Sequence, residues 1–396
     1  MKSQNNIIVI GGNHQNTLGV IEALGQKGIS PIVIIMSSAT TSYVLCSKYI
    51  KQGYILSQES DIVKTILSVC AETEGVVTSI ACSDDAAVLL DNNHMRWASN
   101  FTYPSTKQKG DLYQWTSKEK MSEVAQAIGM TIPKSSVIGD DVALDNLTFP
   151  LVTKPFTSVK NGKNGFSLCK TREDLLKYIE QRQDKEPFQV QEYIEKEFEF
   201  QLIGCSLNHG ETILIPGRTN ITTTTGFNNL VFLRYDKYEP EYQQIVDLAK
   251  DFVQYTGYSG LFSVEFMKGK DGKNYFLEMN FRNDGNGIAV TASGFNLPYI
   301  WYLWQINGEW EKEIQESSVR TIYMMPELSF FSAMVNGEVG FVEWFKDLRM
   351  TNCYLTHFRD DPEPFKCLLR RSHLTRTIIS GLAKRTGLYN FIKRKK

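Results

Sequence analysis

The sequence predicts an N-terminal doubly wound α/β domain followed by an α+β domain and an additional C-terminal segment, on three observations. Short apolar runs alternate with a helical pattern at the start of the chain, and two alternating runs flank an Asp-Gly pair at residue 271. The chain's 396 residues suffice for two or three compact units. Hydrophobic residues make up 42% and charged residues 22%, which excludes a disordered or fibrous chain and leaves ample apolar surface for a core.

Ile7-Ile-Val-Ile10 is an apolar run of strand length bounded by Gly11-Gly12. A helical pattern follows through Val20, Ile21 and Leu24 to Gly28, and Ile32-Val-Ile-Ile35 is a second buried strand. That order predicts a parallel βαβ unit opening a doubly wound sheet. Val76-Val77 to Ala81 is a later strand and Asp84 to Asn92 the helix after it, so the first domain is placed at residues 1–112. The Gly11-Gly12-Asn13-His14 turn lacks the three-glycine spacing of a dinucleotide fingerprint, and no acidic residue closes the second strand, which argues against nicotinamide binding. From Ser117 a helix runs to Ile128 with Gly129 as its stop. Pro150 to Lys154 is a strand ending in lysine, 157–165 a loop rich in Gly, Asn and Lys, and Phe166 to Lys170 a short strand. Thr171 caps a helix through Ile179, and Gln189 to Ile194 is a further strand. Strands and turns continue to residue 291, which places the α+β domain at 113–300 and a C-terminal extension at 301–396.

The sharpest chemistry lies in Gly260-Leu-Phe-Ser-Val-Glu-Phe-Met267, Lys270-Asp-Gly-Lys273 and Tyr275-Phe-Leu-Glu-Met-Asn-Phe-Arg282. Asp-Gly between alternating runs signals a two-residue hairpin turn. With Asp271 and Gly272 in the turn, Phe262 faces Phe281, Val264 faces Met279 and Phe266 faces Leu277 on an apolar side. Ser263 then faces Asn280, and Glu265 faces Glu278, on the other. A bulge at Gly269 would shift this register. Two glutamates opposite each other, with Cβ atoms about 5 Å apart, destabilise a hairpin unless positive charge lies between them. A divalent cation supplies it, with Asn280 as a third oxygen ligand and Arg282 projecting from the same face. Hard oxygen donors in this number suit Mg²⁺ or Mn²⁺ and leave room for phosphate oxygens.

This pattern resembles the ATP-grasp superfamily, from the opening βαβ unit to about residue 300. Glu265, then Glu278-Met-Asn280-Phe-Arg282, is similar to the family's metal-binding Glu followed by Glu-x-Asn-x-Arg. Lys118 matches the lysine of the helix leading into the ATP-binding region, and Lys154 the strand-borne lysine on the nucleotide phosphates. Gln191-Glu192-Tyr193-Ile194 is similar to the hinge that holds adenine, and Glu199 falls where the family places a carboxylate on the ribose hydroxyls. The loop Ser158 to Gly165 can offer backbone N–H groups to phosphate, though it departs from the more Gly- and Ser-rich family version. The resemblance implies an ATP-grasp fold, ATP and Mg²⁺ (or Mn²⁺) as cofactors, and an ADP-forming ligase that turns a carboxylate into an acyl phosphate and then an amide. Glu265, Glu278 and Asn280 become metal ligands and Arg282 the group on the acyl phosphate. Arg218, in Ile-Pro-Gly-Arg-Thr, is the candidate second clamp for phosphate or substrate carboxylate.

Asn283-Asp-Gly-Asn-Gly287 replaces the Gln-x-Glu-His stretch of biotin-carboxylase-like members, and a D-alanine-ligase-like Asn-Thr-x-Pro-Gly is missing. Asn280-Phe-Arg-Asn-Asp-Gly285, with the earlier segment Tyr43 to Tyr49, resembles the D-aspartate-ligase-like group, which implies small-molecule carboxylate and amine substrates drawn from amino acids or cell-envelope precursors. A catalytically silent ATP-binding regulatory or assembly protein stays open as the alternative.

The seven cysteines are scattered without zinc or redox spacing and are expected as buried thiols. The longest aromatic-rich apolar stretch, Leu297 to Ile306, is far short of the roughly 20 residues that span a bilayer, and no signal peptide is expected, so the cytoplasm is the expected location. Net charge is −1, but residues 366–396 hold ten Lys or Arg and no Asp or Glu, which leaves about −11 on the rest. The apolar residues of this tail fall at helical spacing, so it either docks on acidic protein or touches an anionic inner membrane surface. A homodimer also stays open, and nucleic acid is not expected as a partner.

Overall fold

The computed structural model describes residues 5–138, 147–155, 167–182, 188–225, 229–237, 242–316 and 320–371. The loop 158–165 and the basic tail beyond 371 lie outside the described residues, as does the Lys154 side chain.

The doubly wound opening is as the apolar runs require. Strands β1 (Asn6–Gly11), β2 (Ile32–Met36), β3 (Gln52–Leu56), β4 (Val77–Ala81) and β5 (Phe101–Thr102) form a parallel sheet in the order β3-β2-β1-β4-β5. Its central strands β1, β2 and β4 are buried almost throughout, as a parallel sheet covered on both faces requires, whereas the edge strand β3 opens with exposed Gln52 and Gly53. Successive strands are added outward on one side of β1 as far as β3 and then on its other side from β4, so the crevice at the carboxyl ends of β1 and β4 opens at the switch point of the sheet. Gly11 ends β1 there: a Cβ would sit 2.7 Å from both the Cys82 Cβ and the Thr17 Oγ1.

Strands β6 (Ser135–Ile138), β7 (Leu151–Pro155), β8 (Ser167–Cys169) and β9 (Phe188–Glu192) make a four-stranded antiparallel sheet, order β6-β9-β7-β8. Thr171 caps the helix Arg172–Gln181 in a reciprocal capping box with Asp174. The strand expected to reach Ile194 stops at Glu192. Tyr193 to Glu195 bend away, and the Tyr193 N–H donates to the Pro150 carbonyl at 3.0 Å, leading into the next sheet.

That sheet is the largest. β10 (Lys196–Leu207), β11 (Thr212–Leu214), β12 (Gly217–Thr225), β13 (Asn229–Lys237), β14 (Gly260–Gly269), β15 (Asn274–Asn280), β16 (Ile322–Met325) and β17 (Cys353–Tyr354) run in the order β15-β14-β10-β12-β13-β16-β17, with β11 on β10. Residues beyond 300 thus contribute two of its strands. One face carries Phe200, Phe266 and Phe276 against Phe252 of the helix Gln243–Thr256. The alternation that buries this face turns the intervening polar residues to the other.

The hairpin corrects the expected turn. Gly269 N–H donates to the Lys273 carbonyl, so three residues, 270–272, make the turn, with Gly272 at φ +83°. A bulge between Glu265 and Phe266 compensates: Phe266 faces Phe276, not Leu277, while Ser263 still faces Asn280 and Glu265 faces Glu278. The extra turn residue and the bulge cancel at the carboxylates.

Five of the cysteines are buried thiols, but Cys46 and Cys367 form a disulfide, their Cα atoms 6.8 Å apart. It joins the turn Val44–Cys46 to the helix Glu363–Arg371, 321 residues on, a pairing that only the fold brings together.

Candidate active site

The polar face of the central sheet is built by strand parity. Glu199 and Gln201 of β10, Ser263 and Glu265 of β14, and Glu278 and Asn280 of β15 all project from it, in a register that sets Gln201 and Glu278 on either side of Glu265. The Glu265 Oε1 accepts hydrogen bonds from Gln201 Nε2 and from Asn280 Nδ2, both at 3.0 Å. Among the described residues no hydrogen bond reaches its Oε2. Burial, then the charges of Glu278 and Asp284, push the Glu265 carboxyl above the usual carboxylate range. A cation between the two carboxylates would favour their charged forms.

Two side-chain cations already lie against these groups. Lys118 opens the helix Lys118–Ala127, which Ser117 caps, and its Nζ is 2.9 Å from the Glu278 Oε2. Arg282 Nη2 donates to the Asn280 Oδ1 at 2.9 Å, and its Nη1 lies 3.4 Å from the Asp284 Oδ2 and 3.3 Å from the Asn283 carbonyl. Its Nε is 3.4 Å from the Asp84 Oδ1, at the start of the helix Asp84–Asn92 in the first domain. Burial opposes its charge, but Asp284, Asp84, Glu265 and Glu278 outweigh that cost and hold it protonated.

The donor set fits a hard divalent ion: two carboxylates, one with an open oxygen, and an amide oxygen that the ion would share with Arg282. Among the described residues no group of three His, Cys, Asp or Glu could hold a metal alone, so phosphate oxygens and water would complete the shell.

The remaining candidates divide. Glu199 stands on the same face as Glu265, two residues along β10 from Gln201, and pairs with the Lys196 Nζ at 2.9 Å. Glu192 ends β9, where its Oε2 accepts from the Lys134 N–H at 3.4 Å, and Tyr193 and Ile194 form the passage from the four-stranded sheet to the large one. Lys154 sits on β7 opposite Gln189. Arg218 is not at this site. It pairs with Leu202 across β10 and β12, so parity sends it to the apolar face, where its guanidinium lies 3.6 Å over the Tyr242 ring and near Phe198 and Phe200. The loop clamp expected from Ile-Pro-Gly-Arg-Thr is a buried strand arginine, 8% exposed.

Sequence reasoning missed Gln201, Asp284, Asn286 and Asp84. Gln201 had a visible signal, since Glu199 and Gln201 alternate with Phe198, Phe200 and Leu202. Asn286 Nδ2 donates to the Gln201 Oε1 at 2.7 Å, and Ser263 Oγ to the Asp284 Oδ2 at 2.9 Å, contacts set by a loop no periodicity describes.

The ATP-grasp domain family matches residues 123–296. A comparison with curated protein sequences finds no match. Among solved structures the chain is similar to the L-amino acid ligase from Bacillus licheniformis, with TM-score 0.58 and 15% identity over 82% of this chain and 80% of that one. It is similar to the N5-carboxyaminoimidazole synthetase from Staphylococcus aureus, with TM-score 0.59 and 15% identity over 77% and 78%. The biotin carboxylase domain of Hydrogenobacter thermophilus 2-oxoglutarate carboxylase, solved with MgADP, gives TM-score 0.58 and 16% identity over 80% and 70%. ATP and Mg²⁺ are the cofactors of this fold.

Proposed function

We propose, from the premise that this chain is an ATP-grasp protein, that it is an ADP-forming ligase joining a small-molecule carboxylate to an amine. The observation that carries this reading is the Glu265 and Glu278 pair with Asn280 and Arg282 on one sheet face. A substrate carboxylate oxygen attacks the γ-phosphorus of ATP and ADP leaves. The amine nitrogen then attacks the acyl carbon, gives up a proton and expels phosphate. Glu265, Glu278 and Asn280 hold Mg²⁺, which supplies charge neutralisation for the phosphates. Arg282 steadies the acyl phosphate and the tetrahedral oxyanion from a rigid, mostly buried position. Lys118 and Lys154 serve the phosphates, the Glu192-Tyr193-Ile194 passage the adenine, and Glu199 the ribose. The similarity to an L-amino acid ligase supports an amino acid on one side of the bond. A cell-envelope precursor on the other would give the basic tail a use at an anionic membrane surface.

ADP release measured against a panel of carboxylates, each with and without amines, tests this. Turnover that needs both an acid and an amine is expected. Saturable ATP binding without turnover on any pair overturns it in favour of a silent nucleotide-binding protein.

A further inference from the structure

We propose that Asn16, far from the reacting atoms in sequence and outside the sheet that bears them, is the positioning residue for Arg282 and acts through Asn283. This rests on the reading of Arg282 as the group that steadies the acyl phosphate.

Asn16 lies in the first turn of the helix Gln15–Gly25, only 6% exposed, at a place where an apolar residue would pack without polar obligations. A buried amide there is costly unless all its groups are bonded. They are, and the partners belong to two domains. The Asn16 Nδ2 donates to the Cys82 carbonyl at 2.9 Å, at the end of β4, and to the Asn283 carbonyl at 2.6 Å. The Asn283 Nδ2 donates back to the Asn16 Oδ1, and the Asn283 N–H donates to the Ala81 carbonyl at 2.9 Å. Asn283 itself is 5% exposed. The peptide that follows Arg282 is therefore fixed to the carboxyl end of β4 from three directions.

The consequence falls on the guanidinium. Of its four partners among the described residues only Asn280 belongs to β15. The Asn283 carbonyl, Asp284 and Asp84 face it only while the 283 peptide keeps its place against the first domain. Those three contacts, at 3.3 to 3.4 Å, are already long for hydrogen bonds, so a shift of a few tenths of an ångström breaks them. Freed of them, Arg282 would follow Asn280 alone. A misplacement of about 1 Å at a reacting group costs on the order of a hundredfold in rate.

His14 offers a readout that needs no substrate. It caps the same helix, and crowding by the protein first, then the Arg282 charge, hold its pKa below the ordinary histidine value. In the full-length, metal-free protein, the His14 ring is titrated by NMR in the parent, Arg282→Gln, Asn16→Ala and Asn283→Ala. Arg282→Gln should raise the His14 pKa, and Asn16→Ala and Asn283→Ala should each give at least half of that rise. In turnover, Asn16→Ala should lose at least tenfold in kcat with KM for ATP within twofold of the parent. Asn16→Ala added to Arg282→Gln should cost nothing more. A His14 titration unchanged in both alanine variants overturns the proposal, as does parent-like kcat in Asn16→Ala. Loss of the fold in both variants assigns Asn16 a structural role and overturns it as well. Should the parent turn over no acid and amine, the ligase reading fails while the His14 titration still decides the placement of Arg282.

Discussion

Glu22 and Asp361 meet in the interior, each 1% exposed, with a hydrogen bond between their side chains and the Lys48 backbone N–H 3.3 Å from both Asp361 oxygens. Glu265 and Glu278 meet on an open sheet face, with Gln201 and Asn280 donating to one carboxylate and Lys118 paired to the other. Burial pushes Glu22 up to about 9, so the interior pair relieves its repulsion by keeping a proton. Burial, Glu278 and Asp284 raise the Glu265 carboxyl as well, but its face carries amide donors that favour the anion and two cations within reach, so a bound cation can take the place of that proton. Like-charged neighbours alone do not mark a site. What separates these two pairs is whether the partner that resolves them can be exchanged for a ligand.

The sharpest break of that comparison is Glu278→Gln beside Glu22→Gln. Glu278→Gln should fold normally and lose at least about a hundredfold in turnover, since it removes a metal ligand from a polar face and spares the core. Glu265→Gln should behave alike, and the thermal shift that ATP gives the parent should depend on Mg²⁺ much less in either variant. Glu22→Gln should leave turnover as it is. Parent-like activity in Glu278→Gln would remove the site, and a metal-independent shift of equal size would remove the metal from it.

Most of the open pair was legible in the sequence, and none of the interior one. Period-two alternation around 260–282 dictates which residues share a face, and the glutamate pairing survives even though turn and bulge both differ from the simplest hairpin. Parity also explains the failure at Arg218: a Pro-Gly before it suggests a loop, yet its place in β12 follows from pairing with β10, which no local signal shows. Glu22 lies among the apolar residues of its helix and meets Asp361 339 positions later, and Cys46 meets Cys367 by the same return of the chain. Contacts of that separation are products of tertiary folding, as is the Asn16 to Asn283 bond.

Gln201→Ala sharpens the comparison by removing an amide that favours the Glu265 anion without touching a metal ligand. Outer partners of ligating groups are worth roughly ten- to a hundredfold in metal affinity, and the lower end applies here because Asn280 still donates to the same oxygen. Mg²⁺ titration of the ATP-bound protein should show about a tenfold weakening. An unchanged affinity would mean that Gln201 only packs.

The interior pair should announce itself in stability against pH. Glu22 keeps its proton up to about 9 in the folded chain, whereas an unfolded chain releases it near 4.5. Between those values the native state binds more protons, so this contribution is full below about 4.5 and falls as pH rises through the window. Glu22→Gln cannot ionise and should lack that slope, so its Tm advantage over the parent grows by several degrees from pH 5 to pH 8. Parallel melting curves at both values would show that Glu22 is already ionised.

The smallest effect is expected at Lys118. Its side chain is 61% exposed and its pair with Glu278 is open to water, a geometry that contributes about 0–1 kcal/mol. Lys118→Ala should therefore shift Tm by no more than about 2 °C for a chain of this size. The same substitution clears a cation from the Glu278 oxygen that Mg²⁺ must reach, so Mg²⁺ binding without nucleotide should strengthen a few-fold while ATP binding weakens through loss of a phosphate contact. The opposite signs are the test. Calorimetric titrations that weaken both ligands together would place the ammonium in the metal's own shell of contacts, and a melting loss well beyond the surface-pair range would make it part of the fold, as Asp361 is for Glu22.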